Sequence, residues 1–167
     1  MPAPANAALI HQLSAELGQQ LVKRHWRVAT AESCTGGGIS AAITAISGSS
    51  NWFEYGIVSY ANQAKQRLLQ VSVQTLDQEG AVSEAVVTQM LRGVLLVSGS
   101  EIGVAVSGIA GPTGGSADKP VGTVWFAWGL ASGEIRTKLF HFTGDRHAVQ
   151  QQAVLQGLRG LLDFLPA

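Results

Sequence analysis

Leu9, Leu13, Leu17 and Leu21 recur every four residues, which puts one apolar stripe along a helix over residues 6–24. Trp26–Ala31 reads as a short strand that ends in the polar run Glu32, Ser33, Cys34, Thr35. Gly36, Gly37 and Gly38 follow, and the small residues up to Ile46 predict a helix packed closely on a sheet. Gly48, Ser49 and Ser50 break that pattern. Tyr55–Tyr60 is a second strand, followed by helical sequence through Leu69 and a short helix near 74–79. Ser83 with Glu84 opens a helix that extends to Val97. Glu101–Val106 is a third strand and runs into the long loop Ser107–Ser116. Val121–Leu130 and Ile135–Phe142 form a hairpin around Ser132-Gly133, and Asp145 caps a last helix from Arg146 to Phe164. Helices alternating with strands, then a hairpin, predict an α/β fold: a single-domain three-layer α/β/α sandwich with a mixed, largely parallel sheet and a C-terminal hairpin. The pattern leaves strand order open.

Composition narrows the functional classes. A chain of 167 residues, 46% of them apolar, suits one domain with a substantial core. Eleven basic and eleven acidic side chains cancel, so no strong field favours nucleic acid or an anionic membrane. The single cysteine, Cys34, has no partner for an internal disulfide, which points to a reducing cytoplasm. The opening MPAPANAALIHQL lacks the marks of a signal peptide, and no stretch of eighteen uninterrupted apolar residues exists to span a membrane. Residues 1–5 are expected to be loose, with residues 6–167 forming the domain.

Polar chemistry collects where strands end: Ser33, then Tyr60 with Lys65 just beyond, then Ser107. In open α/β sheets the ligand crevice lies outside the carboxyl ends of parallel strands, so parallel pairing would bring these residues together. Two glycine-rich turns, 36–38 and 108–115, would let backbone N–H groups approach an anion or an oxyanion. Each signal has a plainer reading. Gly36–Gly38 suits tight helix–sheet packing equally well, a serine in a turn is most often a cap, and a lysine between Ala64 and Gln66 is ordinarily solvated. Neither glycine cluster spells a P-loop or a dinucleotide fingerprint. His11, His25, His141 and His147 show no metal-ligand spacing, and no G-x-S-x-G elbow marks a serine–histidine triad. Cys34 at a helix start lacks a nearby histidine in sequence, so a catalytic cysteine is the lesser reading.

Several blocks occur together in order: Ala31-Glu-Ser-Cys-Thr-Gly-Gly37, Gly48-Ser-Ser50, Trp52-Phe-Glu54, Ser107-Gly-Ile-Ala-Gly-Pro112, Lys119-Pro-Val-Gly-Thr-Val-Trp125 and Gly144-Asp-Arg146. With them the chain resembles the CinA C-terminal domain family of nicotinamide-nucleotide amidohydrolases from about residue 8 to 165, in its stand-alone form. The resemblance implies hydrolysis of nicotinamide mononucleotide to nicotinic acid mononucleotide and ammonia by a serine/lysine mechanism, with no cofactor and no metal. It also implies a place in pyridine nucleotide salvage. Mapped on matching positions, Ser50 would be the nucleophile, Lys65 its general base and Tyr60 an aid to proton transfer or to orienting the lysine. Ser33 and Ser107 would line the pocket, and Arg146 would meet an anionic part of the substrate. Position 107 departs from the threonine common in the family but keeps the hydroxyl. The partners expected are a small molecule and a second copy of the chain, with a dimer favoured.

The chemistry those roles require is demanding. A lysine with its free pKa near ~10.4 is almost entirely protonated at neutral pH, so Lys65 must be buried or set beside a cation such as Arg67 or Arg146. Geometry raises one difficulty. Ser50 precedes the strand 55–60 and Lys65 follows it, and six extended residues span roughly 20 Å. Either residues 51–55 fold back, or a neighbouring subunit supplies one partner. Strand-end geometry alone selects Ser33 as nucleophile, and Ser33 stands as the alternative. The rival functions are a non-catalytic nucleotide-binding or regulatory module linked to competence or DNA damage, and a phosphatase. The phosphatase reading lacks paired metal-binding carboxylates.

Overall fold

The computed structural model describes residues 4–167. The loose segment expected over residues 1–5 falls, for residues 1–3, outside the described residues, and the first helix, α1, runs Pro4–Arg24. The chain continues through β1 (Val28–Glu32), α2 (Gly38–Thr44), a single 3-10 turn (Ser49–Asn51), β2 (Phe53–Val58), α3 (Asn62–Leu69), α4 (Val73–Glu79) and α5 (Glu84–Ser98). It ends with β3 (Ile102–Gly108), the hairpin β4 (Thr123–Leu130) and β5 (Ile135–His141), and α6 (Arg146–Phe164). The five strands lie in the order β2-β1-β3-β4-β5. Both neighbours of β1 run parallel to it, and β4 runs antiparallel to β3 and β5, so only β4 opposes the common direction. This is the mixed α/β architecture with a C-terminal hairpin that the hydrophobic pattern predicts.

The two faces of the sheet are built from side chains of different size. Toward α1, α2 and α6 the strands present Val28, Ile102, Val104, Val106, Val124, Phe126 and Trp128. Toward α5 they present Ala29, Ala31, Ala105 and Ala127, with Gly103 and Gly129 so close to Leu91 that a Cβ would crowd it. Alternation along each strand sends successive residues to opposite faces, so the small residues form one continuous shallow face. The thick face holds a ladder of rings, with Phe126 stacked on Trp128 at 5.1 Å and edge-on to Phe140 at 5.5 Å. The Trp128 indole donates to the Gly157 carbonyl of α6 at 3.0 Å, which satisfies its one polar atom inside the core.

β2 lies two residues earlier than the pattern predicts. Its register against β1, from Phe53 opposite Val28 to Val58 opposite Glu32, ends the strand at Val58. Ser59 and Tyr60 therefore belong to the turn into α3, and their carbonyls face the lysine that α3 carries. The far end of that helix is held by α5: a Cβ on Gly93 would overlap the Leu69 backbone. Gly93→Ala is expected to lower stability by roughly 1–3 kcal/mol, because backbone cannot yield as a side chain would. Urea unfolding monitored by circular dichroism reads this as a lower midpoint with an unchanged slope.

Candidate active site

Because β1, β2 and β3 are parallel, their carboxyl ends open on one rim of the sheet. Ser33 follows β1, Ser59 and Tyr60 follow β2, and Ser107 is the penultimate residue of β3. A cleft of about 320 Å³ lies there, lined by Ser33, Tyr60, Lys65 and Ser107 and by the Gly108–Gly114 loop, with Arg146 at its mouth. That volume falls in the range of small-molecule sites. Its lining contains two cationic side chains, Lys65 and Arg146, and no carboxylate. A larger cleft of about 640 Å³ lies along α5 beside Trp125, but its one lining serine, Ser83, is occupied as the cap of that helix.

Lys65 is fully buried, 1% exposed. Its amine contacts Ser33 Oγ at 2.9 Å, the Ser59 carbonyl at 2.8 Å and the Tyr60 carbonyl at 3.2 Å. All three acceptors are neutral, and among the described residues the ion pairs are those of Arg27 with Glu54 and Glu101. Desolvation without a countercharge disfavours the ammonium and holds the Lys65 pKa at about 8, well below its ordinary value. Burial alone accounts for this shift, and neither Arg67 nor Arg146 contributes to it. In the neutral amine, two N–H groups satisfy the two carbonyls, which can only accept. The lone pair is then left facing the Ser33 hydroxyl. The Ser33 hydroxyl and the Lys65 amine thus stand within hydrogen-bond reach of each other, a geometry in which a neutral amine can accept the hydroxyl proton.

The structure does not bring Ser50 to this place. Ser50 lies exposed in the 3-10 turn ahead of β2, level with the start of β1, whereas Ser33 and Lys65 sit at the opposite end of those strands. No fold-back of residues 51–55 bridges the gap, so within one chain the expected Ser50–Lys65 pair gives way to Ser33–Lys65. Tyr60 orients the lysine through its carbonyl, while its hydroxyl accepts from Arg146 Nη2 at 2.8 Å. Arg146 Nη1 donates to the Gly111 carbonyl at 2.8 Å, so the guanidinium is aimed by two neutral groups and keeps its charge uncompensated. Ser107 Oγ donates to the Ala81 carbonyl at 2.8 Å and closes the cleft floor. Cys34 is buried one residue after Ser33, and burial pushes its thiol up to about 12.

Sequence reasoning missed Glu32. Its side chain is completely buried and its carboxylate accepts from Thr35 Oγ1, Ser40 Oγ and the backbone N–H groups of Ile39 and Ser40. An acidic residue closing a strand of small, uncharged residues was the available signal. The N–H groups of Ala110 and Gly111 in the loop have no acceptor among the described residues. Those same residues contain no cluster of three His, Cys, Asp or Glu side chains able to hold a metal ion.

The model of the CinA C-terminal domain matches residues 10–165. The chain is 54% identical over 153 residues to the nicotinamide-nucleotide amidohydrolase PncC of Enterobacter agglomerans, covering 92% of this chain and 93% of that relative. It is 52% identical over 150 residues to the protein of the same name in Escherichia coli (strain K12), covering 90% and 91%. Among solved structures, the competence damage-inducible protein A (ComA) of Klebsiella pneumoniae is similar, with a TM-score of 0.90 and 43% identity. That match covers 93% of this chain and 96% of the other.

Two measurements check the electrostatics. The folded pKa of Lys65 lies near 8 and its ordinary value at 10.5, so below pH 8 the lysine is protonated in both states and its burial opposes folding in full. Between the two values only the unfolded chain still binds the proton, so stability rises with pH. Relative to Lys65→Met, the wild type is expected to gain roughly 2–3 kcal/mol in urea unfolding between pH 7 and pH 10. Cys34 in the folded protein is expected to react with iodoacetamide at pH 8 about three orders of magnitude more slowly than a free thiol, with normal reactivity restored in urea.

Proposed function

The chain belongs to the CinA C-terminal domain family, and from that premise we propose that it hydrolyses the carboxamide of nicotinamide mononucleotide to nicotinic acid mononucleotide and ammonia. The observation that carries the reading is the buried Lys65 amine 2.9 Å from Ser33 Oγ, with its other two contacts made to carbonyls. Ser33 is the nucleophile of this proposal. Lys65 takes the Ser33 proton as Oγ attacks the carboxamide carbon, and the negative charge developing on the carbonyl oxygen is met by the free N–H groups of the Ala110–Gly111 segment. The resulting lysine ammonium gives its proton to the departing nitrogen, so ammonia leaves and an ester to Ser33 remains. Water, deprotonated by the same lysine, then cleaves that ester to the carboxylate and restores Ser33.

The charge pattern supports a phosphorylated substrate. A cleft with the Arg146 guanidinium and no carboxylate favours an anion, and Arg146 has N–H groups beyond the two already used on Gly111 and Tyr60 to offer a phosphate. Tyr60 and Ser107 shape the cleft and orient its charged groups. Metal plays no part in this mechanism. The proposal places the activity in pyridine nucleotide salvage in the cytoplasm, and among the described residues no helix is long and apolar enough to cross a membrane.

A second copy of the chain is the partner this reading includes. β2 is an edge strand whose Tyr55, Gly56 and Val58 are exposed, and its single charge, Glu54, is neutralised by Arg27 at 3.0 Å. The other edge, β5, carries Arg136 and Lys138, the charged defence expected of a strand that stays unpaired. Sedimentation should accordingly give a dimer, and Val58→Lys a monomer.

The test is ammonia release with nicotinamide mononucleotide, nicotinamide riboside and nicotinamide compared directly, the mononucleotide being preferred. Folded Ser33→Ala and Lys65→Met should each lose activity by at least about a thousandfold, while Ser50→Ala retains it within about tenfold. Activity should rise with pH to a plateau above about 8, as the amine loses its proton. It should also survive exhaustive chelation. Tight binding of the mononucleotide without ammonia release would instead identify a regulatory module.

A further inference from the structure

Glu32 is a carboxylate taken wholly out of water, and among the described residues it has no ion-pair partner. Removing such a charge from water is unfavourable by several kcal/mol unless its lone pairs are met by donors. Four donors meet them: Thr35 Oγ1 at 2.7 Å and Ile39 N at 2.7 Å on one oxygen, Ser40 N at 3.0 Å and Ser40 Oγ at 2.7 Å on the other. Two of these are N–H groups in the first turn of α2, which an N-cap side chain ordinarily satisfies. Here the N-cap is Gly37, whose φ of 96° suits glycine and which has no side chain to offer. The cap comes instead from Glu32, five residues upstream, and the turn Ser33–Gly37 is closed between them.

The main chain of Glu32 is tied in the opposite direction. Its carbonyl accepts from Ser59 N at 2.9 Å, and the Ser59 carbonyl in turn accepts from Lys65 Nζ at 2.8 Å. The next residue, Ser33, donates its N–H to the Val106 carbonyl at 3.0 Å. One residue therefore joins the turn that carries the serine to the turn that holds the lysine. We propose that Glu32 is the positioning residue that fixes Ser33 Oγ against the Lys65 amine, an inference that rests on the Ser33–Lys65 reading above. A carboxylate is required in this role. Each of its oxygens faces a backbone N–H that cannot be reversed, so the NH₂ of a glutamine would point at one of them, donor against donor. The nominally conservative Glu32→Gln therefore breaks the cap and loosens the turn.

The experiment compares wild type with Glu32→Gln at a temperature where both are folded by circular dichroism. The variant is expected to lose kcat about a hundredfold with KM within about threefold, the signature of a displaced reacting atom in an intact pocket. Cys34 sits in the same turn and reports on it without any substrate, and its alkylation by iodoacetamide should speed up at least about tenfold in the folded variant. Wild-type kcat together with unchanged Cys34 protection would overturn the inference, as would a loss confined to KM. If Glu32→Gln does not fold, Ser40→Ala and Thr35→Val each remove one hydroxyl donor and keep both backbone N–H groups. Each should then lower kcat by a smaller factor, and full activity in both would again overturn it. A wild type that releases no ammonia would refute the proposed function, and Cys34 alkylation would then decide the role of Glu32 by itself.

Discussion

An amine buried among neutral acceptors is the constraint around which the rest of this molecule is arranged. Among the described residues Lys65 makes no ion pair, and each of its hydrogen bonds goes to an oxygen without formal charge. Such a site is unfavourable for an ammonium and tolerable for an amine, which is why folding lowers its proton affinity. The fold must therefore hold the amine in place by other means: a parallel strand pair that ends on either side of it, and a helix fastened at its far end. β1 and β2 supply the first, delivering Ser33 and the Ser59–Tyr60 carbonyls to the same rim. α3 supplies the second, with the Leu69 backbone pressed into the groove that Gly93 leaves on α5.

Close approach on that side depends on the thinness of the sheet's inner face. Ala29, Ala31, Ala105 and Ala127 let α5 lie almost on the strands, and α5 brings α3 with it. The opposite face does different work. Its large residues and stacked rings form the larger apolar cluster and support α2 and α6, the helices that carry the Glu32 cap and Arg146. The bulkier packing thus lies under one layer, and the placement of Lys65 depends on the other. Residues that look like packing detail on the thin face are close to the chemistry for that reason.

Much of this was legible in the chain because periodicity reports burial directly. The leucine repeat of α1, the capping residues Ser83 and Asp145, and the hairpin before α6 all fall where the pattern predicts. Convergence of Ser33, Lys65 and Ser107 also followed once parallel strands were assumed. The burial of Lys65 did not follow, because a lysine between Ala64 and Gln66 on a short polar helix carries the pattern of a solvated face. What buries it is the turn after β2, whose position depends on a register that no local signal encodes. Ser50 shows the converse. Its motif identified a family correctly, yet the strand between it and Lys65 separates the two, as the length of an extended segment had warned. Glu32 was hard to read for a third reason, since two of its four side-chain partners are backbone N–H groups and backbone has no letter in a sequence.

The adjacency of Ser33 and Cys34 raises the question of why the proposed mechanism should use the weaker intrinsic nucleophile. Both sit in the same turn, both are nearly inaccessible, and thiolate chemistry is ordinarily easier than alkoxide chemistry. The answer lies in what burial does to groups of opposite charge type. Desolvation penalises whichever form is ionised, so it raises the thiol, whose reactive form is the anion, and lowers the amine, whose reactive form is neutral. One environment therefore disfavours the thiolate and favours the neutral amine. In the proposed mechanism Ser33 needs no ionised ground state, because a neutral amine within hydrogen-bond distance can take its proton as the bond to carbon forms. A dry turn with a lysine beneath it suits a serine nucleophile and disfavours a cysteine one, whichever of the two residues is intrinsically more reactive in water.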